Sequence, residues 1–273
     1  MTLSINSTLK LNNGIEIPRL GFGTYQIPPG EIAEKAVKEA LKAGYRHIDT
    51  AAIYKNEESV GKGIKAIGIS RSDFFLTTKL WNDDHSDVNK AFRTSLKNLN
   101  LNYVDLYLMH WPVERKRLAS WKAMEGIYKE GKAKSIGVSN FTIAHLKELL
   151  EHCDVLPVLN QVEFHPYLYQ SELHTFCKGH NIQLEAYSPL TQGQKLQEPT
   201  LMAIAEGYNK STAQLLIRWA LQHGIVVLPK SQTTEHIKSN ADVFDFEISE
   251  KDMNCLDGLH SNHRVCWDPT NIP

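Results

Sequence analysis

Residues 44–57 read Gly44-Tyr45-Arg46-His47-Ile48-Asp49-Thr50-Ala51-Ala52-Ile53-Tyr54-Lys55-Asn56-Glu57. Gly44 stops a helical pattern, because Glu31 to Ala43 carries Ile32, Ala36, Val37, Ala40 and Leu41 at helical spacing. Arg46 to Asp49 then reads as a short buried strand around the β-branched Ile48. Asp49-Thr50 closes that strand with residues that prefer loops and caps, Tyr54 falls in the loop beyond, and Asn56-Glu57-Glu58 looks like the next helix start. A carboxylate at a strand end with a phenol in the following loop is a candidate acid–base site. Taken alone, the plainer account is a capping aspartate beside a half-buried tyrosine.

The same junction recurs along the chain. Before it, Leu9 to Ile17 alternates apolar and polar on both sides of Asn13-Gly14, a β-hairpin pattern. Leu20-Gly21-Phe22-Gly23-Thr24 is a first strand. After residues 46–49 and a helix near 57–67, strands are predicted at 74–79, 103–110, 134–138, 158–162, 182–187 and 225–228. Helices are predicted at 86–99, around 118–130, at 142–150, 170–178, 199–206, 211–222 and near 234–241, with an extra one toward the C-terminal end. Eight strands each followed by a helix imply a parallel sheet. Eight such units in a chain near the usual ~250 residues point to one closed (β/α)8 TIM barrel over 1–273. An open doubly wound sheet is the alternative, but Gly21-Phe22-Gly23 has Gln26 where the dinucleotide fingerprint wants a third Gly. The formal match at Gly61-Lys62-Gly63-Ile64-Lys65-Ala66 sits inside a helical pattern with no strand before it, so it reads as a false positive.

Bulk properties remove several function classes. The chain has 273 residues, 42% hydrophobic and 22% charged, with a formal net charge of -1. Near-neutral charge gives no reason to expect nucleic acid or an acidic membrane as partner. The densest charged run, Glu114-Arg115-Lys116-Arg117, reads as solvated surface. Met1 to Asn13 is polar and lacks the apolar core of a signal peptide, and no run approaches the ~18 apolar residues of a membrane span. The four cysteines, Cys153, Cys177, Cys255 and Cys266, show no zinc or redox spacing and read as small buried thiols of a cytoplasmic protein.

In a barrel, function gathers at the C-terminal strand ends. Those positions are Thr24, Asp49, Lys79, His110, Ser139-Asn140, Gln161, Tyr187-Ser188 and Lys230-Ser231. Each alone has an ordinary structural account; their convergence in one ring does not. A free phenol titrates near ~10. A lysine cation beside it is expected to pull that value down, with Asp49 holding Lys79 as a paired ammonium and His110 orienting a carbonyl oxygen. Asp49, Tyr54, Lys79 and His110 thus form a general acid aimed at an oxyanion. No metal is expected: H-E-x-x-H is absent, and Glu163-Phe164-His165 supplies too few ligands.

The motifs Gly-Tyr-Arg-His-Ile-Asp-Thr-Ala at 44–51 with Tyr54, Thr-Lys-Leu-Trp at 78–81 and Leu-Met-His-Trp-Pro at 108–112 resemble those of the aldo-keto reductase family. So do Ile-Gly-Val-Ser-Asn-Phe at 136–141, Asn-Gln-Val-Glu-Phe-His-Pro at 160–166, Tyr-Ser-Pro-Leu at 187–190 and Leu-Pro-Lys-Ser at 228–231. The likeness is greatest to its short-loop microbial members, the diketogluconate reductase and prostaglandin F synthase-like group.

The resemblance implies NADPH extended across the barrel mouth without a Rossmann domain. By position it implies Tyr187 under the nicotinamide, with Ser139, Asn140 and Gln161 holding its carboxamide, and it counts Gly23, Thr24 and Asp49 among the cofactor-binding residues. Ser188, Leu190 and Gln192 are expected along the pyrophosphate, Lys230 and Ser231 on the 2′-phosphate and Asn240 near the adenine. Tyr25, Trp81, His110 and Trp111 are expected around a small carbonyl substrate. His236 stands where the family commonly places an Arg against the 2′-phosphate. A guanidinium pairs a phosphate through two parallel donors, a histidine through at most one, so NADPH should stay favoured and NADH should be usable.

The expected activity is reduction of aldehydes and ketones to alcohols by a cytoplasmic monomer, with the short loop after His110 and the brief tail from His260 leaving the pocket open. Two rivals stand beside it. One is a Schiff-base aldolase using Lys79 or Lys230; the other is a sensor that holds NADPH and barely turns over.

Overall fold

Strand β1 (Thr8–Lys10) and strand β2 (Glu16–Pro18) pair antiparallel in the computed structural model, which describes residues 3–273. Met1 and Thr2, where the polar start of the chain was read, lie outside the described residues. Asn13-Gly14 is not the centre of a two-residue turn. Leu11 N–H donates to Ile15 and Gly14 N–H to Leu11, so the loop spans three residues with Gly14 at φ 88°. That positive φ is why glycine closes the hairpin.

Eight parallel strands follow: β3 (Phe22–Gly23), β4 (His47–Asp49), β5 (Phe75–Leu80), β6 (Leu106–Met109), β7 (Ile136–Ser139), β8 (Leu159–Glu163), β9 (Gln183–Tyr187) and β10 (Val226–Val227). Each pairs with the next in chain order. The sheet closes on itself: Val227 N–H donates to Arg19, Gly21 N–H to Val227 and Gly23 N–H to Pro229. Between the strands run α1 (Glu31–Lys42), α2 (Glu57–Lys65), α3 (Val88–Leu99), α4 (Arg117–Lys129), α5 (Ile143–His152), α6 (Ser171–Gly179), α7 (Pro199–Gly207), α8 (Thr212–Gln222) and α9 (Thr234–Ala241). The extra C-terminal helix, α10, spans Glu250–Asp257. This is the expected (β/α)8 barrel.

Two apolar clusters position the site. The larger lies between the strands and the helices, with Trp121 and Trp219 wholly enclosed. The smaller joins Leu11 and Ile17 of the hairpin to Phe75, Leu106, Leu159 and Val226 near the strand starts. The hairpin therefore plugs the N-terminal end of the barrel, with Asn12 and Asn13 side chains donating to the carbonyls of Pro157 and Lys134. Loops at the other end remain for chemistry.

The glycines of the false fingerprint have a packing role. A Cβ on Gly61 would lie 2.3 Å from the Leu99 carbonyl oxygen, and one on Gly63 would lie 2.9 Å from that of Glu34. Helix α2 packs against its neighbours through these bare positions. Gly61→Ala should therefore destabilise the fold by about 1–3 kcal/mol through overpacking, despite the ~1 kcal/mol that Ala gains over Gly in a helix. Urea unfolding reads this directly, and unchanged stability would mean that α2 and α3 do not meet there.

Two surface expectations need correction. Arg117 is 8% exposed, not solvated: it pairs with Glu148 and donates to the carbonyls of Pro112 and Pro273, because the C-terminal segment folds over the start of α4. Of the four unpaired cysteines only Cys177 is buried; Cys153 and Cys266 are half-buried, and Cys255 is exposed on α10. No helix among the described residues is long and apolar enough to cross a membrane.

Candidate active site

Asp49 ends β4, and its backbone carbonyl accepts from both the N–H and the hydroxyl of Thr24. Beyond it, residues 52–54 form one tight helical turn rather than an open loop, ended by Lys55 at φ 58°. Asn56 holds that turn in place. It accepts from the Thr50 hydroxyl and donates to the carbonyls of Thr24 and Ile27. Tyr54 is thereby carried back over the strand ends.

Lys79 lies inside β5 and is fully buried. Its Nζ donates to Asp49 Oδ1 at 2.6 Å, to the Thr50 carbonyl at 2.9 Å and to the Tyr54 hydroxyl at 3.3 Å. His110 follows β6, with its ring centroid 5.7 Å from that of Tyr54 and 5.2 Å from that of Trp81. Its Nδ1 is buried without a partner, so Nε2 is the ring nitrogen left to meet a ligand. Asn140, from the loop after β7, donates to the His110 carbonyl at 2.9 Å.

Electrostatics follow from burial. The His110 imidazole is held well below its ordinary value by desolvation and then by the Lys79 charge, so it is neutral at physiological pH. Burial pushes the Asp49 carboxyl up, against the opposing pull of Lys79 and Gln161. Tyr54 departs from the sequence expectation: its phenol is pushed well above 10, first by desolvation and next by the Asp49 charge. The Lys79 cation is paired with Asp49 at 2.6 Å, and in the resting site its pull on the phenol is outweighed by burial and by the Asp49 charge.

These groups open on a cavity of about 770 Å³ at the barrel mouth. Of the expected residues, Gly23, Tyr25, Asp49, Tyr54, Trp81, His110 and Trp111 line one part of it. Asn140, Gln161, Tyr187, Ser188, Leu190, Gln192, Lys230 and His236 line the rest. Lys79 and four others sit behind the wall. Thr24 supports Asp49, Ser139 donates to the Gln161 carbonyl at 2.8 Å, Ser231 bonds Thr233 in the turn entering α9, and Asn240 is buried in α9.

The cavity walls suit a dinucleotide. Tyr187 offers a ring fixed by its 2.7 Å hydrogen bond to Asn140 Oδ1. Asn140, Ser188, Thr191 and Gln192 all have positive φ, between 48° and 63°, a strained backbone of the kind that collects at ligand sites and can present N–H groups to an anion. At the far end Lys230 forms no ion pair among the described residues, close to the start of α9, where a phosphate is favoured.

Several lining residues were missed in the sequence. The tail brings Arg264, Val265, Cys266 and Trp267 to the cavity because Glu163 accepts from the N–H groups of Val265 and Cys266, with His165 bonded to the same carboxylate. Trp267 stands 69% exposed, 5.9 Å from Trp111 and 6.4 Å from Trp81. A lone Trp in a polar tail carried no signal. Glu185, which lies behind the wall, did carry one, being a charge between the apolar Leu184 and Ala186 of β9: its carboxylate lies 2.7 Å from Gln161 Nε2.

Residues 19–261 match the Aldo/keto reductase family. The chain belongs to that family. It is 51% identical over 274 residues to the glyoxal reductase of Bacillus subtilis (strain 168), covering 100% of this chain and 99% of that protein. Among solved structures, MGS-M4, an aldo-keto reductase from a Medee basin deep-sea metagenome library, superposes with a TM-score of 0.94 at 46% identity, covering 98% of this chain and all of the other. The Bombyx mori aldo-keto reductase AKR2E4, solved in complex with NADP, superposes with a TM-score of 0.91 at 37% identity over 97% and 96% of the two chains. As an aldo/keto reductase, this protein is an NAD(P)H-dependent oxidoreductase.

Proposed function

We propose that residues 1–273 act as one barrel, a cytoplasmic monomer that reduces aldehydes and ketones with NADPH, and that Tyr54 is the proton donor. The observation that carries this is the junction of Tyr54, Lys79 and Asp49 in one hydrogen-bonded line beside a neutral His110. The family and the NADP complex of the silkworm relative support the cofactor. When bound, the reduced nicotinamide supplies a hydride to the carbonyl carbon.

The chain's own residues do the rest. His110 Nε2–H and the Tyr54 hydroxyl converge on the carbonyl oxygen and orient it. As charge develops there, Tyr54 gives up its proton and Lys79 stabilises the phenolate left behind. A phenol held above its ordinary value still protonates an alkoxide downhill, since alcohols are weaker acids than phenols. Lys79 is committed to Asp49, Thr50 and Tyr54, which leaves it no lone pair for a Schiff base.

Glyoxal, named in a relative, is one candidate substrate. The rings of Tyr25, Trp81, Trp111 and Trp267 at the mouth also suit larger aldehydes. A panel of aldehydes, quinones and keto acids, followed by NADPH absorbance, tests the reading; no turnover across the panel would leave the sensor alternative.

Cofactor choice gives a second test. His236 is exposed in the first turn of α9 and lines the cavity with Lys230. Arg at 236 adds a bidentate phosphate donor, so His236→Arg should raise the preference for NADPH over NADH by roughly tenfold, one charge-assisted contact. Affinities of both cofactors, measured by quenching of protein fluorescence, report it. An unchanged ratio would place residue 236 away from the phosphate.

A further inference from the structure

Gln161 Nε2 donates twice, to Asp49 Oδ2 at 2.8 Å and to Glu185 Oε2 at 2.7 Å. Both of its N–H bonds are thus used inside the barrel, and Oε1 is the only polar atom of that side chain left to face the cavity. An amide can flip and present its NH₂ group instead; here two carboxyl acceptors on one side forbid it.

Glu185 is itself fully buried on β9, level with Gln161 on one side and Val226 on the other. The titratable groups around it are Asp49, Lys79 and His47. Two buried polar atoms there lack any partner, Glu185 Oε1 and His47 Nδ1, and they lie 3.8 Å apart. At 3.8 Å the two atoms are not hydrogen-bonded, so a proton on Oε1 would serve both only if that gap closed. The His47 imidazole is neutral, pushed down to about 3 by burial and by Lys79 against the opposing effect of the Pro18 backbone, and its Nε2 bonds Thr77. The Glu185 carboxyl is in turn pushed up to about 8, by burial first and then by Asp49, so it keeps that proton at neutral pH.

We propose that Glu185 is a positioning residue that locks the Gln161 amide with its oxygen toward the cavity, where it accepts from the carboxamide NH₂ of the nicotinamide. The inference rests on the cofactor reading above. It makes Glu185, Gln161, Asp49 and Lys79 one buried chain, so that the group holding the cofactor and the pair behind Tyr54 share a support. A neutral carboxyl is required: a charged Glu185 beside Asp49 would set two negative charges around one amide.

Three variants test it. Glu185→Met removes the acceptor while filling the space, and should weaken NADPH binding by about tenfold, the worth of one hydrogen bond to a buried amide. Glu185→Gln, permanently neutral and able to accept from Gln161, should restore affinity to within about threefold of wild type. Gln161→Ala separates the two levels of argument. If it leaves NADPH affinity unchanged, the cofactor reading of Gln161 fails and this inference with it. If it weakens binding while Glu185→Met does not, only the positioning role is overturned.

Stability of the free protein gives a readout independent of cofactor. The carboxyl is at about 8 folded against its ordinary 4.5 unfolded. Its contribution is therefore full below about 4.5 and is lost as pH rises toward 8. Glu185→Gln should melt several degrees above wild type at pH 9 and gain much less at pH 5. An equal gain at both pH values, or none at pH 9, would show that the proton is not held on Glu185 and overturn the proposal even if Glu185→Met fails to fold.

Discussion

Tyr54→Phe is expected to lower carbonyl reduction by on the order of 10²–10⁴-fold, the usual worth of a positioned proton donor, while leaving NADPH affinity within a few-fold of wild type. The ring stays, so its contacts with Tyr25 and His110 survive; only the hydroxyl at the end of the Lys79 line is lost. The phenol lies far above its ordinary value, so wild-type reduction should show no loss of the acid up to about pH 9. Steady-state kinetics across pH 6–9 measure both. Comparable rates in Tyr54→Phe would remove the residue from the chemistry, and an alkaline limb that persists in that variant would belong to another group.

Lys79→Met should be nearly as damaging to activity, and unlike Tyr54→Phe it should also damage the fold. The ammonium is enclosed and paired with Asp49 at 2.6 Å. Removing one member of a buried pair leaves an uncompensated charge, a loss of about 3–5 kcal/mol. Asp49 would relieve part of that by taking up a proton, the direction in which burial already pushes it. The double variant Lys79→Met/Asp49→Asn removes both charges and should regain much of the stability without regaining activity, because nothing then stabilises the tyrosinate. Denaturant unfolding and kcat on the two variants decide the matter. If the double variant recovers turnover along with stability, Lys79 supports the fold alone.

The effect expected of Lys79 on Tyr54 shows where a residue-level argument fails. From the sequence, a lysine beside a phenol means a lowered phenol, and that holds for an isolated pair. In the barrel the lysine charge is balanced by Asp49 and the hydroxyl is desolvated, so the sum has the opposite sign. A pKa depends on all neighbours within several ångströms, and sequence order does not supply that list.

Most of the architecture was legible, because a β-then-α pattern repeated eight times has few solutions once apolar spacing places each unit. The ring of polar strand ends was legible for the same reason: a parallel strand's last residue faces the barrel mouth whatever its neighbours are. Asp49 ends its strand and Lys79 and His110 lie within one residue of a strand end, whereas Tyr54 needed the turn after β4 to bring it back. The rest depended on contacts between distant residues. Glu163 captures the tail a hundred residues later and so brings Trp267 to the cavity. Leu99 lies so close to Gly61 that a fingerprint-like motif becomes a helix contact. Gln161 turns out to bridge the carboxyl groups of Asp49 and Glu185. Periodicity reports which face of an element is buried; only the assembled barrel decides what that face meets.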